Sequence, residues 1–222
     1  MLINIEEPII NYLSNLYNLP GTVSYCEQAI GHIIKRPFDT GGNIVFLIVG
    51  IIILLVGRNK ALARAFGWTT ILIWLLSSIW DATASFLFQI FDFTGMFIFV
   101  TLLLFLNFER MGLKVAKIYR WLVVILGAAI FLVFGGLSPH VFFGALVFAV
   151  IITEFLARQK YSRKLWYLGL ASFATGFIFW IIDMNKLICD PTKIFSGRNL
   201  EHLFFSIAIY LLCVHYSKIQ EE

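Results

Sequence analysis

Long apolar stretches separated by short polar connections dominate this chain. They cover residues 41–57, 67–90, 94–108, 121–136, 138–156, 165–182 and 200–216. A membrane-spanning helix needs about 17–25 mostly apolar residues, and a helix satisfies its own backbone hydrogen bonds in lipid. The stretches are too uniformly apolar for the alternating strands of a membrane barrel. The pattern therefore predicts an all-α integral membrane protein, a bundle of seven transmembrane helices.

The residues before the first apolar stretch have a different pattern. Residues 1–40 mix Ile, Leu and Tyr with polar residues, and they contain Glu6 and Glu7 but no basic leader and no long apolar run. A secretory signal peptide has both of those features. We expect this segment to form short interfacial helices that cover the membrane surface. A single seven-transmembrane domain would then occupy residues 41–222.

Composition and charge agree with this architecture and give it an orientation. Apolar residues make up 60% of the 222 residues and charged residues only 14%, a balance outside the range of soluble domains. Most of the 17 basic residues lie in three connections on one side of the predicted bundle, at 58–64, 110–120 and 158–164. Cytoplasmic loops retain Lys and Arg, so the N-terminus is predicted outside and the C-terminus in the cytoplasm. The net charge of +4 is then a topological signal that suggests no nucleic-acid partner.

Two of the three cysteines fall on the outer side of this topology. Cys26 precedes the first predicted span and Cys189 follows the sixth, whereas Cys213 lies within the last span. Oxidation can occur on the outer side. Spacing alone leaves two alternatives open, a Cys26–Cys189 disulfide and two free thiols.

The second predicted span carries polar residues that are costly in a bilayer. At about 100° per residue, Ser77 and Asp81 share one helix face, and Asp92 joins them if the helix continues. An ionisable side chain at the bilayer centre costs at least about 2.5 kcal/mol and is by default functional or paired, so Asp81 needs a partner or a proton. Ser77 has a simpler alternative, a hydrogen bond to the backbone of its own helix. The alternative for Asp92 is an interfacial charge that meets water.

A second polar group lies at the sixth and seventh predicted spans. Arg198, His202 and Ser206 repeat every four residues and form one stripe, and Asp183 ends the sixth span. In the predicted topology this group reaches the outer half of the membrane, where it can converge with Asp81. The alternatives are interfacial charges for Asp183 and Arg198 and a packing role for His202.

Several ordered motifs contain these residues and carry a family resemblance. They are Ser24-Tyr25-Cys26-Glu27 with Phe38-Asp39-Thr40-Gly41-Gly42-Asn43, Ser77-x3-Asp81-x10-Asp92 with Gln89 and Met96, Trp180-x2-Asp183 ahead of Cys189, and Gly197-Arg198-x2-Glu201-His202. They resemble the alkaline ceramidase family, within the superfamily of seven-helix membrane hydrolases that also contains the adiponectin receptors. The corresponding family motifs are Asp-Trp-Cys-Glu with Trp-Asn-Thr-x-Ser-Asn, Ser-x3-His-x10-Asp, Trp-x2-Asp, and Gly-His-x2-Trp-His. The resemblance runs over most of the chain.

The resemblance implies a zinc hydrolase site in an altered form. In that family three histidines bind zinc, which activates a water to attack the ceramide amide, and a serine and an aspartate, here Ser77 and Asp92, assist. The ligand positions carry Asp81, Arg198 and His202 in this chain. Such a site needs three protein ligands and an open position, and a guanidinium cannot be a ligand. We expect an Asp81–Arg198 ion pair in place of zinc, with a changed metal site at Asp81 and His202 as the other interpretation.

The family also has a calcium site beside the first motif. The corresponding positions here carry Ser24, Tyr25, Glu27, Ala29 and Arg36. Calcium prefers several anionic oxygens, and only Glu27 would supply them. The basic residue therefore argues against calcium.

Three functions follow from these observations. In the first, the chain hydrolyses ceramide or a related lipid amide, and without a metal His202 would be the base and Ser77 the nucleophile or oxyanion donor. In the second, it is a non-catalytic relative that binds a sphingolipid, another acyl lipid or a partner. The third is a proton-linked transporter that uses Asp81 and Asp183, although no repeat or broken-helix pair supports it.

Overall fold

The fold is all-helical over the part of the chain that the structure describes. The computed structural model describes residues 14–29, 33–113, 116–134, 138–157, 162–187, 189 and 196–220, and no strand occurs among them. After a helical turn at 14–18, the helices are α1 (Pro37–Gly42), α2 (Ile44–Val56), α3 (Ala61–Thr83), α4 (Phe86–Arg110), α5 (Lys117–Phe134), α6 (Ser138–Leu156), α7 (Lys164–Met184) and α8 (Gly197–Gln220).

Five segments of the described residues are helices long and apolar enough to cross a membrane. They are Pro37–Val56, which combines α1 and α2, together with Ala61–Thr83, Phe86–Arg110, Lys164–Met184 and Gly197–Ile219. The chain is therefore a multi-pass integral membrane protein. Lys114, Arg158, Lys160 and Lys193, on which the predicted orientation partly depends, lie outside the described residues.

The boundary between α3 and α4 differs from the prediction. The apolar pattern predicts helices over 67–90 and 94–108, but the structure ends one helix before Ala84 and begins the next two residues later. Ala84 has a φ of 51°, in the left-handed region that ends a helix. Apolar residues on both sides conceal this break from a hydropathy pattern. Asp92 therefore belongs to α4, and the continuous second helix on which its predicted place beside Ser77 depended does not occur. The two side chains nevertheless meet, across the interface between α3 and α4.

The helices pack as a ring that is open on one side. α2 packs on α3, α3 on α4, and α4 on both α5 and α6, while α8 packs on α7, α2 and α3. The largest apolar core lies between α2, α3, α4 and α8. Within the described ranges the backbones of α6 and α7 are not in contact. The opening of the ring therefore lies between these two helices.

Residues 14–29 form a lid over one end of the bundle, which we call the lid end. The Gly21 N–H donates to the Ala84 carbonyl at 3.0 Å, directly at the break between α3 and α4. A Cβ at Gly21 would lie 1.9 Å from the Trp80 indole, so the close approach of the lid needs glycine here. The lid is thus fitted to the same turn that ends α3.

A disulfide also attaches the lid to the bundle. Cys26 and Cys189 are bonded, with their Cα atoms 5.4 Å apart, and this bond joins the lid to the connection between α7 and α8. Cys213 is a buried free cysteine. Of the two alternatives that the spacing left open for Cys26 and Cys189, the structure contains the disulfide.

Candidate functional site

Buried polar side chains gather beneath the lid, where they come from the lid, its connection to α1, and α1, α3, α4, α7 and α8. Each is at most 7% exposed. We call the following residues the lid-end cluster: Glu27, Arg36, Asp39, Asn43, Ser77, Asp81, Asp92, Asp183, Arg198, Glu201 and His202. The structure therefore brings together the polar faces that the sequence predicted to converge, except that Ser206 bonds the Leu203 carbonyl of its own helix.

Asp81 lies at the centre of this cluster and has no solvent exposure. Its carboxylate lies 3.1 Å from the Arg36 guanidinium and 3.8 Å from that of Arg198. The Asn43 amide donates to the second carboxylate oxygen at 2.9 Å. Arg198 is thus the more distant of two cations, and sequence reasoning did not identify Arg36 or Asn43 as partners of Asp81.

Arg198 has a closer carboxylate partner on its own helix. The Arg198 Nη1 donates to both oxygens of Glu201, at 2.9 and 2.8 Å. Its guanidinium also lies 4.4 Å from the centre of the Tyr25 ring, and that of Arg36 lies 5.1 Å from the same ring. Burial raises the pKa of Tyr25, so the phenol stays neutral and presents its ring to two cations.

Two carboxylates of the cluster bind backbone N–H groups at helix starts. Glu27 accepts the N–H groups of Phe38 and Asp39 at the beginning of α1, at 3.0 and 2.7 Å. Burial raises the pKa of Glu27, and these two bonds oppose the rise. Asp183 accepts the Arg198 N–H at the beginning of α8, at 3.1 Å. Carboxylates stabilise helix N-termini, so Glu27 and Asp183 have structural roles.

The residues at the positions of the family calcium site do not fit calcium. Ser24 and Ala29 are exposed, and both oxygens of Glu27 are occupied by backbone N–H groups. Arg36 fills the cluster with its own positive charge, 3.1 Å from Asp81. Calcium needs six to eight oxygen ligands, which this arrangement does not offer.

The residues at the zinc positions do not fit zinc. A guanidinium lies 3.8 Å from Asp81 where a third ligand would have to be, and it has no lone pair for a metal. Across the described ranges, no three His, Cys, Asp or Glu side chains are arranged to hold a metal ion. Asp81 and His202 alone are too few for a zinc hydrolase site.

His202 is the residue of this cluster whose hydrogen bonding is least satisfied. It is 2% exposed, and neither ring nitrogen has a hydrogen-bond partner in the part of the chain that the structure describes. Its ring packs at 5.4 Å from that of Phe46. Nearby, the Ser77 hydroxyl donates to the Asp92 carboxylate and thereby joins α3 to α4. An unpaired buried polar group is costly, so His202 is the group most in need of a ligand.

A large cavity begins at His202 and runs between α6 and α7. It encloses about 950 Å³ of space between atoms, the open region at its mouth included. Its walls are apolar along α4, α6, α7 and α8, whereas its polar lining is confined to the lid end: Ser77, Asp92, Arg198, Glu201 and His202. The cavity therefore has one polar end and a long apolar body.

A second buried polar group lies at the opposite end of the bundle. We call it the far-end cluster: Asn107, Arg110, Thr153, Glu154, His215 and Tyr216. Glu154 bonds the Arg110 guanidinium, the Tyr216 hydroxyl at 3.0 Å and a His215 ring nitrogen at 3.2 Å. Sequence reasoning missed this cluster, although Glu154 and His215 fall inside predicted spans, where an ionisable residue is itself a signal.

The comparisons with known proteins leave the resemblance as the only pointer to a family. No family model and no curated protein matches this chain. Membership of the alkaline ceramidase family therefore stays a prediction, carried by the motifs.

Proposed function

We propose that this chain is a ceramidase-like membrane protein that binds an acyl lipid without zinc or calcium. In this proposal it has seven spans, with the N-terminal lid outside and the C-terminus in the cytoplasm. The ligand is ceramide or another acyl lipid, and the family's hydrolytic activity has been lost. The observation that carries the proposal is an apolar cavity with an unsatisfied histidine at its polar end.

The shape and lining of the cavity support an acyl ligand. Val147 of α6 and Leu170 of α7 line its facing walls, and the backbones of these helices are not in contact over the described ranges. The lid and its disulfide cover the lid end. An apolar chain can therefore enter sideways from the hydrocarbon with no water to cross.

The polar end supports a neutral head group. A neutral imidazole has one donor and one acceptor, which complements a hydroxyl or an amide. Asp92 and Glu201 add carboxylate oxygens to the same end of the cavity, and the charge of Arg198 is paired with Glu201 at 2.8 Å. An anionic head group would meet carboxylates there without a free cation.

Lipid binding by matched variants tests the proposal. We expect the purified protein in lipid nanodiscs to retain a fluorescent ceramide and Val147→Trp to lose it, because the indole fills the cavity. Phe148→Trp changes the neighbouring residue, which is 62% exposed on the outside of α6, and should bind normally. Native mass spectrometry that finds only bulk phospholipid, in proportion to the membrane, would contradict the proposal.

Metal-independent amide hydrolysis is a second candidate, favoured by one observation. Ser77, bonded to Asp92, and His202, with free ring nitrogens in the described structure, line the same cavity. In such an enzyme His202 would be the base and Ser77 the nucleophile or oxyanion donor. Turnover of labelled ceramide that survives a chelator and is lost in Ser77→Ala would establish it. Absence of turnover in a preparation that binds ceramide would rule out hydrolysis and leave lipid binding as the function.

A further inference from the structure

The cavity has a floor at the end away from His202. In the described structure, each of the four helices that wall the cavity lines it as far as one level of the bundle and no further. We call the lining residues at this level the floor: Leu103 of α4, Val150 and Ile151 of α6, Trp166 of α7 and Leu212 of α8. Leu103, Val150 and Trp166 are buried, so the floor closes this end of the cavity.

The far-end cluster lies directly behind the floor. Its members Asn107, Glu154 and Tyr216 each follow a floor residue of the same helix by four residues, about one helical turn. The Tyr216 hydroxyl lies 2.9 Å from the Asn107 side-chain oxygen and 3.0 Å from the Glu154 carboxylate, and the Asn107 amide donates to the Val150 carbonyl at 3.2 Å. A hydrocarbon chain that passed the floor would have to break these bonds and leave buried polar groups unpaired, which is costly.

The sideways opening between α6 and α7, which we call the gap, is bounded at both ends. Near the floor, the Phe155 ring of α6 lies 5.5 Å from the Trp166 ring of α7, measured between ring centres. Near the lid end, the His140 ring lies 5.6 Å from the Trp180 ring. The floor is therefore at the closed far edge of the gap.

The apolar body of the cavity has nearly the same length on every wall. It runs from Met96 to Leu103 on α4, from Phe143 to Ile151 on α6, from Trp166 to Phe173 on α7 and from Phe205 to Leu212 on α8. Each pair is seven or eight residues apart in the sequence, which corresponds to about 10–12 Å along a helix. An extended backbone advances about 3.6 Å over three bonds, so this length holds about 8–10 atoms of an extended hydrocarbon chain.

We infer that the cavity selects a hydrocarbon chain of medium length, about 8–12 carbons, which runs from a neutral head group at His202 to a terminal methyl group at the floor. A shorter chain leaves a void above the floor. A longer chain has to bend out through the gap or withdraw its head group from His202. Voids and overpacking are both costly in a packed interior. The inference names the chain class of the ligand, and it rests on the proposed function.

A chain-length series of N-acylethanolamines tests the inference. Each carries one acyl chain, of about 6 to 18 carbons, on a neutral head group with an amide and a hydroxyl, the chemistry that a neutral imidazole complements. The full chain is reconstituted in lipid nanodiscs that contain each probe at the same measured mole fraction, and native mass spectrometry measures the retained probe. We expect retention to be highest at about 8–12 carbons and about fivefold lower for the longest chains.

Variants of the floor test which residues set the length. Leu212→Ala deepens the cavity and should move the optimum to chains about two carbons longer, and Leu103→Ala should do the same if the first variant does not fold. Tyr210→Ala is the matched control, because Tyr210 lies on the same helix, is 37% exposed and does not line the cavity. Its optimum should not move.

The outcomes separate the inference from the proposed function. Retention that does not depend on chain length, an optimum well above about 12 carbons, or an optimum that neither floor variant moves would overturn the inference and leave lipid binding intact. Retention of ceramide without any N-acylethanolamine would have the same meaning. Retention of neither ceramide nor any N-acylethanolamine would remove the proposed function, and the inference with it.

Discussion

The lid-end and far-end clusters bury ionisable groups in the same bundle but satisfy them differently. At the far end, Glu154 is bonded by side chains of α4 and α8. At the lid end, six carboxylates accompany two arginines, and His202 keeps two unpaired ring nitrogens among the described residues, facing a cavity. Buried charge alone therefore does not identify a functional site in a membrane. At the lid end, an uncharged side chain with two unpaired ring nitrogens lines the large apolar cavity, and this makes His202 the candidate for ligand binding.

The largest expected effect is at the far end. Glu154→Ala leaves Arg110 and His215 buried without their carboxylate, and breaking a buried pair in this way costs about 3–5 kcal/mol of unfolding free energy. Titration with a denaturing detergent in mixed micelles measures the loss. Glu154→Gln, whose amide still bonds Tyr216, is the control and should lose less. A loss below about 1 kcal/mol for the alanine variant would show that the ion pair between Glu154 and Arg110 contributes little to stability.

The second prediction concerns which arginine is the main partner of Asp81. Asp81→Ala should destabilise the protein, and adding Arg36→Met should recover more stability than adding Arg198→Met, because Arg198 keeps Glu201 at 2.8 Å. Contacting pairs show coupling free energies of about 0.5–3 kcal/mol. Double-mutant cycles for both pairs give the two values. Additive losses in both cycles would show that neither arginine is energetically coupled to Asp81.

The two buried histidines give a smaller contrast. His215→Phe removes the 3.2 Å contact with Glu154 and should cost about 1–3 kcal/mol, the penalty for an unsatisfied buried group. His202→Phe removes no hydrogen bond present in the described structure and removes two unsatisfied buried nitrogens, so it should leave the unfolding free energy unchanged or raise it, while it weakens ceramide retention. Equal losses for the two variants would mean that His202 is satisfied within the protein.

The smallest expected effect is that of a chelator. Binding of a metal to the native state stabilises it, so its removal lowers the thermal midpoint. Because Arg36 and Arg198 supply the positive charge beside Asp81, we expect EDTA to leave the midpoint unchanged. A fall in the thermal midpoint that added zinc or calcium reverses would show that the lid-end cluster binds a metal.

The helices from α2 to α8 could be predicted because each is a nearly uninterrupted apolar run that must satisfy its own backbone in lipid. The turn at Ala84 could not, since its apolar neighbours carry no hydropathy signal. Its carbonyl accepts a hydrogen bond from Gly21 of the lid, 63 residues earlier in the chain. Such long-range contacts leave no local pattern in the sequence.

Sequence reasoning could predict which helix faces meet at the candidate site, but not which side chains bond each other there. Helical spacing placed Asp81 on one face and Arg198 with His202 on another. The identity of the nearest cation depends on Arg36, which lies in the irregular segment before α1 and reaches Asp81 through the tertiary fold. Spacing rules do not apply to such a segment.

The gap between α6 and α7 also changes how affinity for this protein has to be expressed. An occupant that arrives through the gap is dissolved in the bilayer, so its chemical potential depends on its mole fraction among the lipids rather than on its molarity in water. Adding empty vesicles at constant total ligand would dilute it and lower occupancy. Saturation curves collected at different lipid contents should therefore superimpose only on a mole-fraction axis.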